Sequence, residues 1–243
     1  MVSVVRFWEL DFFRGMAIIM MAVFHLVFDL YYFGAYGVDV GSGFWLYFAR
    51  ATAFIFVFLV GVCLSISYGK TPVKFWLKNA KRGLKVFGFG LLITALTFLA
   101  FKNNFIVFGV LHFIGVSVVL SIVFVRFNYL NLLFSVGFIA VGFYLAGLVF
   151  SFPWLVWAGL EPAGFYTFDY FPLFPWFGVI LFGLFVGKNL YSNGKRQFKI
   201  KEVSNLPVKG FGFLGRHSLV IYLIHQPIII FILYIFGIIQ IPL

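Results

Sequence analysis

The sequence predicts an all-α integral membrane protein, a polytopic bundle of about seven transmembrane helices with a cytoplasmic N-terminus. Two observations favour this class. The 243-residue chain is 63% hydrophobic and 10% charged, with a mean hydropathy of +1.08, which is more apolar surface than a soluble domain can bury. The apolar residues also form long continuous runs rather than the short alternating segments of a membrane β-barrel. We therefore expect a single domain over residues 1–243, located in the cell membrane.

Seven apolar runs mark the expected spans. They cover residues 12–33, 44–68, 86–101, 105–125, 130–150, 172–190 and 215–238. With the N-terminus inside, every Lys and Arg except Arg50 and Lys102 falls on the inner side, as the positive-inside rule requires. The net charge of +11 therefore indicates membrane topology and not nucleic-acid binding. The basic inner loops 69–85 and 188–216 suit contact with anionic lipids or, alternatively, with a phosphorylated ligand.

The first span carries a polar stripe. Asp11, Arg14, His25 and Asp29 fall within about 60° of one another on a helix that turns 100° per residue. Ionisable groups inside a bilayer are costly and rarely face lipid, so this stripe must face other helices or a water-filled cavity. The small residue Gly15 shares the face, which predicts a groove along one side of the helix.

Two pairs within this stripe suggest chemistry. His25 and Asp29 are four residues apart, so the carboxylate can orient the imidazole as a base, or the two can form structural hydrogen bonds between helices. Asp11 and Arg14 lie at the inner boundary. They either form an ion pair, or Arg14 faces a phosphate group.

Polar residues also mark the fourth and sixth spans. His112 lies between Gly109 and Gly115, a spacing that allows another helix to pack closely, and both a functional and a packing role are open. Asp169 precedes the sixth span, where it is expected near the positive end of that helix, with a capping role as the alternative to function.

The last span contains a second stripe, formed by Ser218, Tyr222 and His225. Pro227 removes a backbone hydrogen bond beside His225, as is common at intramembrane sites. Cys63 is the only cysteine and the histidines lack a metal-site spacing, so no metal cofactor is expected.

Five motifs in chain order resemble the heparan-alpha-glucosaminide N-acetyltransferase catalytic-domain family, in its prokaryotic branch. They lie at residues 10–15, 24–30, 109–115, 169–176 and 215–227. The family belongs with the wider transmembrane acyltransferases, which include sugar O-acyltransferases with a related Arg and His in their first span. The lysosomal enzyme differs: it has an amide at the position of His25 and its key histidine in the following outer loop, where residues 33–44 have none.

The resemblance implies transfer of an acetyl or other acyl group from acetyl-CoA, as donor substrate, to a hydroxyl or amine of a sugar or other small-molecule acceptor at the outer side. On that pattern His25 is the base and Asp29 holds its ring. Further candidate catalytic residues are His112, Tyr222 and His225. Candidate donor-binding residues are Asp11, Arg14, Gly15, Lys81, Arg82, Arg216 and Ser218. The expected partners are membrane lipids, acyl-CoA and the acceptor, and a homodimer is left open.

Two other functions fit the same residues. A small-solute or proton-coupled transporter also uses intramembrane His and Asp, although the sequence shows no internal repeat. A catalytically silent or lipid-binding relative that keeps the scaffold is the third hypothesis.

Overall fold

The computed structural model describes residues 6–101, 104–203 and 205–240, so Lys102, one of the two basic residues assigned to the outer side, lies outside them. These residues form helices and no β-strand, which confirms the all-α class. The helices are α1 (Trp8–Tyr32), α2 (Gly43–Lys70), α3 (Phe75–Ala100), α4 (Val110–Phe124), α5 (Tyr129–Leu145), α6 (Leu173–Leu190), α7 (Leu206–Arg216) and α8 (Ser218–Ile235).

The helices are compatible with the predicted number of about seven membrane spans. Within the described ranges α1, α2, α3, α6 and α8 are long and apolar enough to cross a membrane. Helices α4 and α5 are apolar but shorter, with 15 and 17 residues. Since 15 residues of helix measure about 23 Å, α4 needs flanking chain to cross a hydrocarbon core of about 30 Å.

Some predicted boundaries were wrong. The third span begins at Phe75 and not near residue 86, because its first turns carry Lys and Arg that lower the apolar signal although they are helical. The fourth begins at Val110 and not at residue 105, because the preceding residues pair with a loop: the Phe171 N–H donates to the Phe108 carbonyl at 3.0 Å. The basic segment 188–216 was expected to be a loop, yet it contains α7.

The chain divides into two compact units, residues 1–56 with 200–243 and residues 57–199. The second unit contains a hydrophobic core around Phe113, Phe177 and Ile180, none of which has exposed surface. Small residues allow its helices to approach closely. A Cβ on Gly61 would overlap the Ile180 carbonyl, and one on Gly183 would overlap the Phe58 carbonyl, so α2 and α6 are in backbone contact there.

The first unit is organised around α1. Helix α7 runs antiparallel to the first half of α1 and touches it at two glycines: a Cβ on Gly15 would overlap the Phe211 carbonyl, and one on Gly215 would overlap the Asp11 carbonyl. Helix α8 then packs against the second half of α1, where His225 meets His25. The opposite side of α1 is exposed and apolar, as a lipid-facing surface must be.

This glycine contact predicts a sharp difference between two substitutions in α7. Gly215→Ala is expected to cost about 2 kcal/mol or more in unfolding free energy, because the added methyl group meets backbone that cannot move aside. Gly210→Ala is the matched control, since nothing lies within 4 Å of its Cβ position. It should be neutral or stabilising by up to about 1 kcal/mol through helix propensity. Thermal unfolding in detergent measures both, and equal stability of the two variants would contradict the packing.

The predicted orientation is tested by cysteine labelling of intact cells. In a Cys63→Ser background, Tyr36→Cys in the loop after α1 should react with a membrane-impermeant maleimide. Val73→Cys in the loop after α2 should react only after the cells are permeabilised. Both native side chains are well exposed, at 56% and 85%, so accessibility within the protein does not limit labelling. The reverse pattern would place the N-terminus outside.

Candidate active site

The polar stripe on α1 is turned toward the protein, as predicted. Asp11 and Asp29 are only 8% and 2% exposed, whereas Phe13 and Leu26 on other sides of the helix are 45% and 40% exposed. The two ends of the stripe make different contacts.

The inner end is an ion pair. Arg14 Nη1 donates to Asp11 Oδ1 at 3.1 Å, which is the first of the two roles that the sequence left open for this pair. The Arg14 side chain keeps 26% of its surface exposed. Gly15 packs against the Phe211 backbone of α7, so it provides packing space in this structure, and its contact with an acyl donor stays a prediction.

The outer end brings two histidines together. The rings of His25 on α1 and His225 on α8 lie edge to face with their centroids 4.8 Å apart. The spacing of four residues then carries Asp29 to the same face, where its Oδ1 accepts a hydrogen bond from Gln226 Nε2 at 2.6 Å. Sequence reasoning thus found three members of this cluster and missed Gln226, although it follows His225 directly and is a polar residue within a membrane helix.

The partner of Asp29 differs from the expected one. The sequence paired it with His25, but His25 Nδ1 and Asp29 Oδ2 are both buried without a hydrogen-bond partner. Asp29 instead joins the two helices through Gln226. A buried carboxylate needs hydrogen-bond donors, and the amide of Gln226 supplies one across the helix interface.

The hydrogen bonds of His225 fix its tautomer. Its Nδ1 lies 2.6 Å from the Tyr222 carbonyl oxygen, one turn earlier on α8. A carbonyl only accepts hydrogen bonds, so Nδ1 carries the proton, and Nε2 of the neutral ring holds a free lone pair. His225 is 9% exposed, and Nε2 is buried without a partner. His225 therefore has one anchored nitrogen and one that is available as a base.

Four buried polar atoms of this cluster lack a partner within the protein: His25 Nδ1, Asp29 Oδ2, His225 Nε2 and Gln226 Oε1. Each buried polar atom of this kind costs about 1–3 kcal/mol, so such atoms are rare and call for an explanation. Their concentration in one place is typical of a site that binds a polar ligand. We name the residues His25, Asp29, His225 and Gln226 the histidine cluster.

His112 has a different environment in the second unit. Its Nδ1 accepts from the Gly109 N–H at 3.3 Å and caps the start of α4, while Nε2 lies 3.3 Å from Thr94 Oγ1. The Thr94 hydroxyl in turn donates to the Ile106 carbonyl at 2.7 Å. Both ring nitrogens thus have partners, and the rings of Phe87 and Phe108 enclose the side chain. These contacts explain the burial of His112, and a catalytic role for it stays a prediction.

Asp169 caps a different helix from the one expected. Its Oδ2 accepts from the Val110 N–H at 2.9 Å, so it caps α4 and not α6. Thr167 holds the same loop by accepting from the Val107 N–H and donating to the Phe105 carbonyl. Elsewhere in this loop, burial raises the pKa of Glu161, and burial together with the Glu161 charge raises the pKa of Tyr170.

The remaining candidates lie at the helix ends and on α8. Lys81 and Arg82 are exposed on α3 in the second unit, and Arg216 is exposed at the end of α7. Ser218 is the first residue of α8, and the Tyr222 ring lies 5.5 Å from that of His225. Among the described residues no group of three or more His, Cys, Asp or Glu side chains could hold a metal ion.

The fold and the histidine cluster together define a multi-pass membrane protein with buried acid–base groups between two of its helices. Its family is clear from sequence comparison: the chain belongs to the family described as heparan-alpha-glucosaminide N-acetyltransferase, catalytic, whose model matches residues 6–227. The family indicates a membrane acetyltransferase. No match to the chain was found among curated proteins or among solved structures.

The contacts of His112 lead to a test of its role. His112→Leu should lower the unfolding free energy by about 1–3 kcal/mol, because the Gly109 N–H and the Thr94 hydroxyl lose a partner. The loss should be smaller in a Thr94→Val background, because the two side chains share one network. Thermal unfolding of the four proteins of this cycle measures the coupling. A folded His112→Leu protein with wild-type stability and no turnover would instead support a catalytic role.

Proposed function

We propose that the protein transfers an acetyl group from cytoplasmic acetyl-CoA to a hydroxyl or amine acceptor that enters from the outer side, with the histidine cluster as the reaction centre. The family supports acetyl transfer. The observation that carries the proposal is the cluster itself, with four buried polar atoms that have no partner in the protein. Two of the four belong to imidazole rings whose centroids lie 4.8 Å apart, and imidazole is the most common general base in enzymes.

In this mechanism His225 is the base. Its Nε2 lone pair removes the proton from the acceptor hydroxyl or amine as the acceptor oxygen or nitrogen attacks the thioester carbonyl carbon. The carbon–sulfur bond then breaks, and the CoA thiolate takes the proton from the His225 imidazolium. Atoms and charge balance, since the acceptor loses one hydrogen and the thiol gains it. The sequence favoured His25 as base, and the fixed tautomer of His225 now makes it the better candidate.

The other members of the cluster support the charges that develop. Asp29 lies one turn beyond His25 on α1, and Gln226, the residue after His225, holds its carboxyl group at 2.6 Å. We assign to Asp29 the electrostatic stabilisation of the imidazolium that forms. His25 Nδ1 has no partner and can donate to the oxyanion when it carries the proton. Tyr222 and Ser218 remain further candidates as donors on α8.

The inner end of α1 suits the acyl donor. Arg14 is oriented by Asp11 and partly exposed, and a helix rise of 1.5 Å per residue puts it about 16 Å from His25 along α1. Arg216 of the same unit adds a second positive charge in the basic segment. A polyanionic nucleotide can therefore stay at the basic side while its flexible pantetheine arm extends toward the histidine cluster.

The histidine cluster is tested by substituting its two rings separately. His225→Ala should lower kcat for acetyl transfer by about 10²–10⁴-fold, the usual contribution of a general base, and His25→Ala should also lower kcat. Both should bind acetyl-CoA with a Kd close to that of wild type. The matched control is His217→Ala, because His217 is an exposed histidine on the same stretch of chain whose Nδ1 contacts the Phe213 carbonyl. It should leave turnover unchanged.

Arg14→Ala should show the opposite pattern, with weaker acetyl-CoA binding and a smaller effect on kcat at saturation. Isothermal titration with acetyl-CoA and a thiol-release assay measure the two quantities in purified protein. Absence of acyl-CoA binding in wild type would refute the proposal. Proton flux driven by a solute gradient in liposomes, without any dependence on CoA, would favour a transporter.

A further inference from the structure

Gln226 is the member of the histidine cluster whose role remains open. Its Nε2 donates to Asp29 Oδ1 at 2.6 Å and joins α8 to α1 across 197 positions of sequence. Because the amide nitrogen faces Asp29, the amide oxygen Oε1 is directed away from Oδ1. That oxygen is buried and has no partner.

Two unpartnered atoms of the cluster have a fixed hydrogen-bonding role, and both are acceptors. Gln226 Oε1 accepts because it is an amide carbonyl oxygen. His225 Nε2 accepts because its proton is held on Nδ1 by the Tyr222 carbonyl. Asp29 and His225 are each more than nine-tenths buried. Bulk water therefore does not freely satisfy these atoms.

A group that fits two acceptors must itself carry at least two hydrogen-bond donors. The thioester carbonyl and the phosphates of an acyl donor carry only acceptors at their oxygen atoms, so they do not complement this pair. A developing oxyanion also needs donors and not acceptors. A primary amine, or a hydroxyl with a second hydroxyl or amine beside it, supplies two or more hydrogens. The two atoms therefore match the acceptor substrate of the transfer reaction.

We propose that Gln226 determines acceptor specificity: its Oε1 binds an acceptor substrate that carries a second N–H or O–H donor beside the reacting group that faces His225 Nε2. This inference rests on the proposed acetyl transfer for its catalytic consequence, but the binding it describes does not require turnover. In the reaction His225 Nε2 takes one hydrogen from the reacting group. Gln226 holds the second donor and so fixes which atom faces the base.

The test compares two probes that differ in one donor. 2-Aminoethanol carries a hydroxyl beside its amine, and 2-methoxyethylamine has the same backbone with that hydrogen replaced by a methyl group. Wild-type protein should prefer 2-aminoethanol by about tenfold or more in kcat/KM, since the methoxy compound leaves a buried acceptor without a donor. Gln226→Met keeps the side-chain length but removes the amide. It should reduce the preference to less than about threefold, mainly through a higher KM for 2-aminoethanol.

Two controls separate specificity from general damage. Gln240→Met replaces an exposed glutamine near the end of the chain and should retain the full preference. Gln226→Asn keeps the amide on a shorter side chain and should restore part of the preference that Gln226→Met removes. A merely structural role of Gln226 predicts loss of kcat toward both probes alike, or a change in KM for acetyl-CoA, and either result would overturn the inference.

Binding without turnover distinguishes the two proposals. In thermal unfolding with CoA present, 2-aminoethanol should stabilise wild-type protein more than 2-methoxyethylamine does, and this difference should vanish in Gln226→Met. If the difference is found but no acetyl transfer occurs, the proposed function fails and the specificity of Gln226 stands. If wild type shows no difference between the probes in either assay, the inference about Gln226 is wrong, whatever the turnover.

Discussion

The buried carboxylate of Asp29 imposes the strongest constraint on the first unit. An ionisable group inside a membrane helix is destabilising unless it faces protein and receives hydrogen bonds, and Asp29 is 2% exposed. Its partner is Gln226, and that hydrogen bond aligns α8 with the second half of α1. The contact of His25 with His225 lies in the same layer of the helix pair. The Gln226–Asp29 hydrogen bond therefore both stabilises the buried carboxyl group and holds the two helices of the histidine cluster together.

Close packing of α7 on the first half of α1 also constrains the position of α8. Gly15 and Gly215 each admit a backbone carbonyl of the facing helix, and such reciprocal contacts let Cα–H groups approach carbonyl oxygens. Helix α7 ends at Arg216 and α8 begins at Ser218, so only two residues separate the contact at Gly215 from the helix that carries His225. The chain reverses direction there, and α7 thus sets the position from which α8 reaches His25.

Features that depend on a single helix could be predicted from the sequence, whereas contacts between two helices could not. Asp11 and Asp29 are 18 positions apart, which is five full helical turns, so the polar face of α1 followed from periodicity alone. Gln226 as partner of Asp29 did not, because periodicity does not encode the register between helices that are distant in sequence. Helix α7 was taken for part of a basic inner loop because it lies outside the long apolar runs, although Asn205 caps it by accepting from the Val208 N–H at 3.1 Å. Asp169 was assigned to α6, the helix that follows it in sequence. It caps α4 instead, because the composition of a loop does not determine its path.

His112 on α4 and His225 on α8 are both buried, and the sequence left a structural and a catalytic role open for each. Their hydrogen bonds distinguish the two roles. A structural histidine gains stability by using both nitrogens, as His112 does with the Gly109 N–H and Thr94. A general base needs one nitrogen anchored, so that the tautomer is defined, and the other kept for the substrate. His225 meets this condition at the cost of a buried nitrogen without a partner. Four buried polar atoms without a partner in one cluster are destabilising unless a bound ligand supplies their hydrogen bonds. The histidine cluster is for this reason the best candidate for the site of acyl transfer.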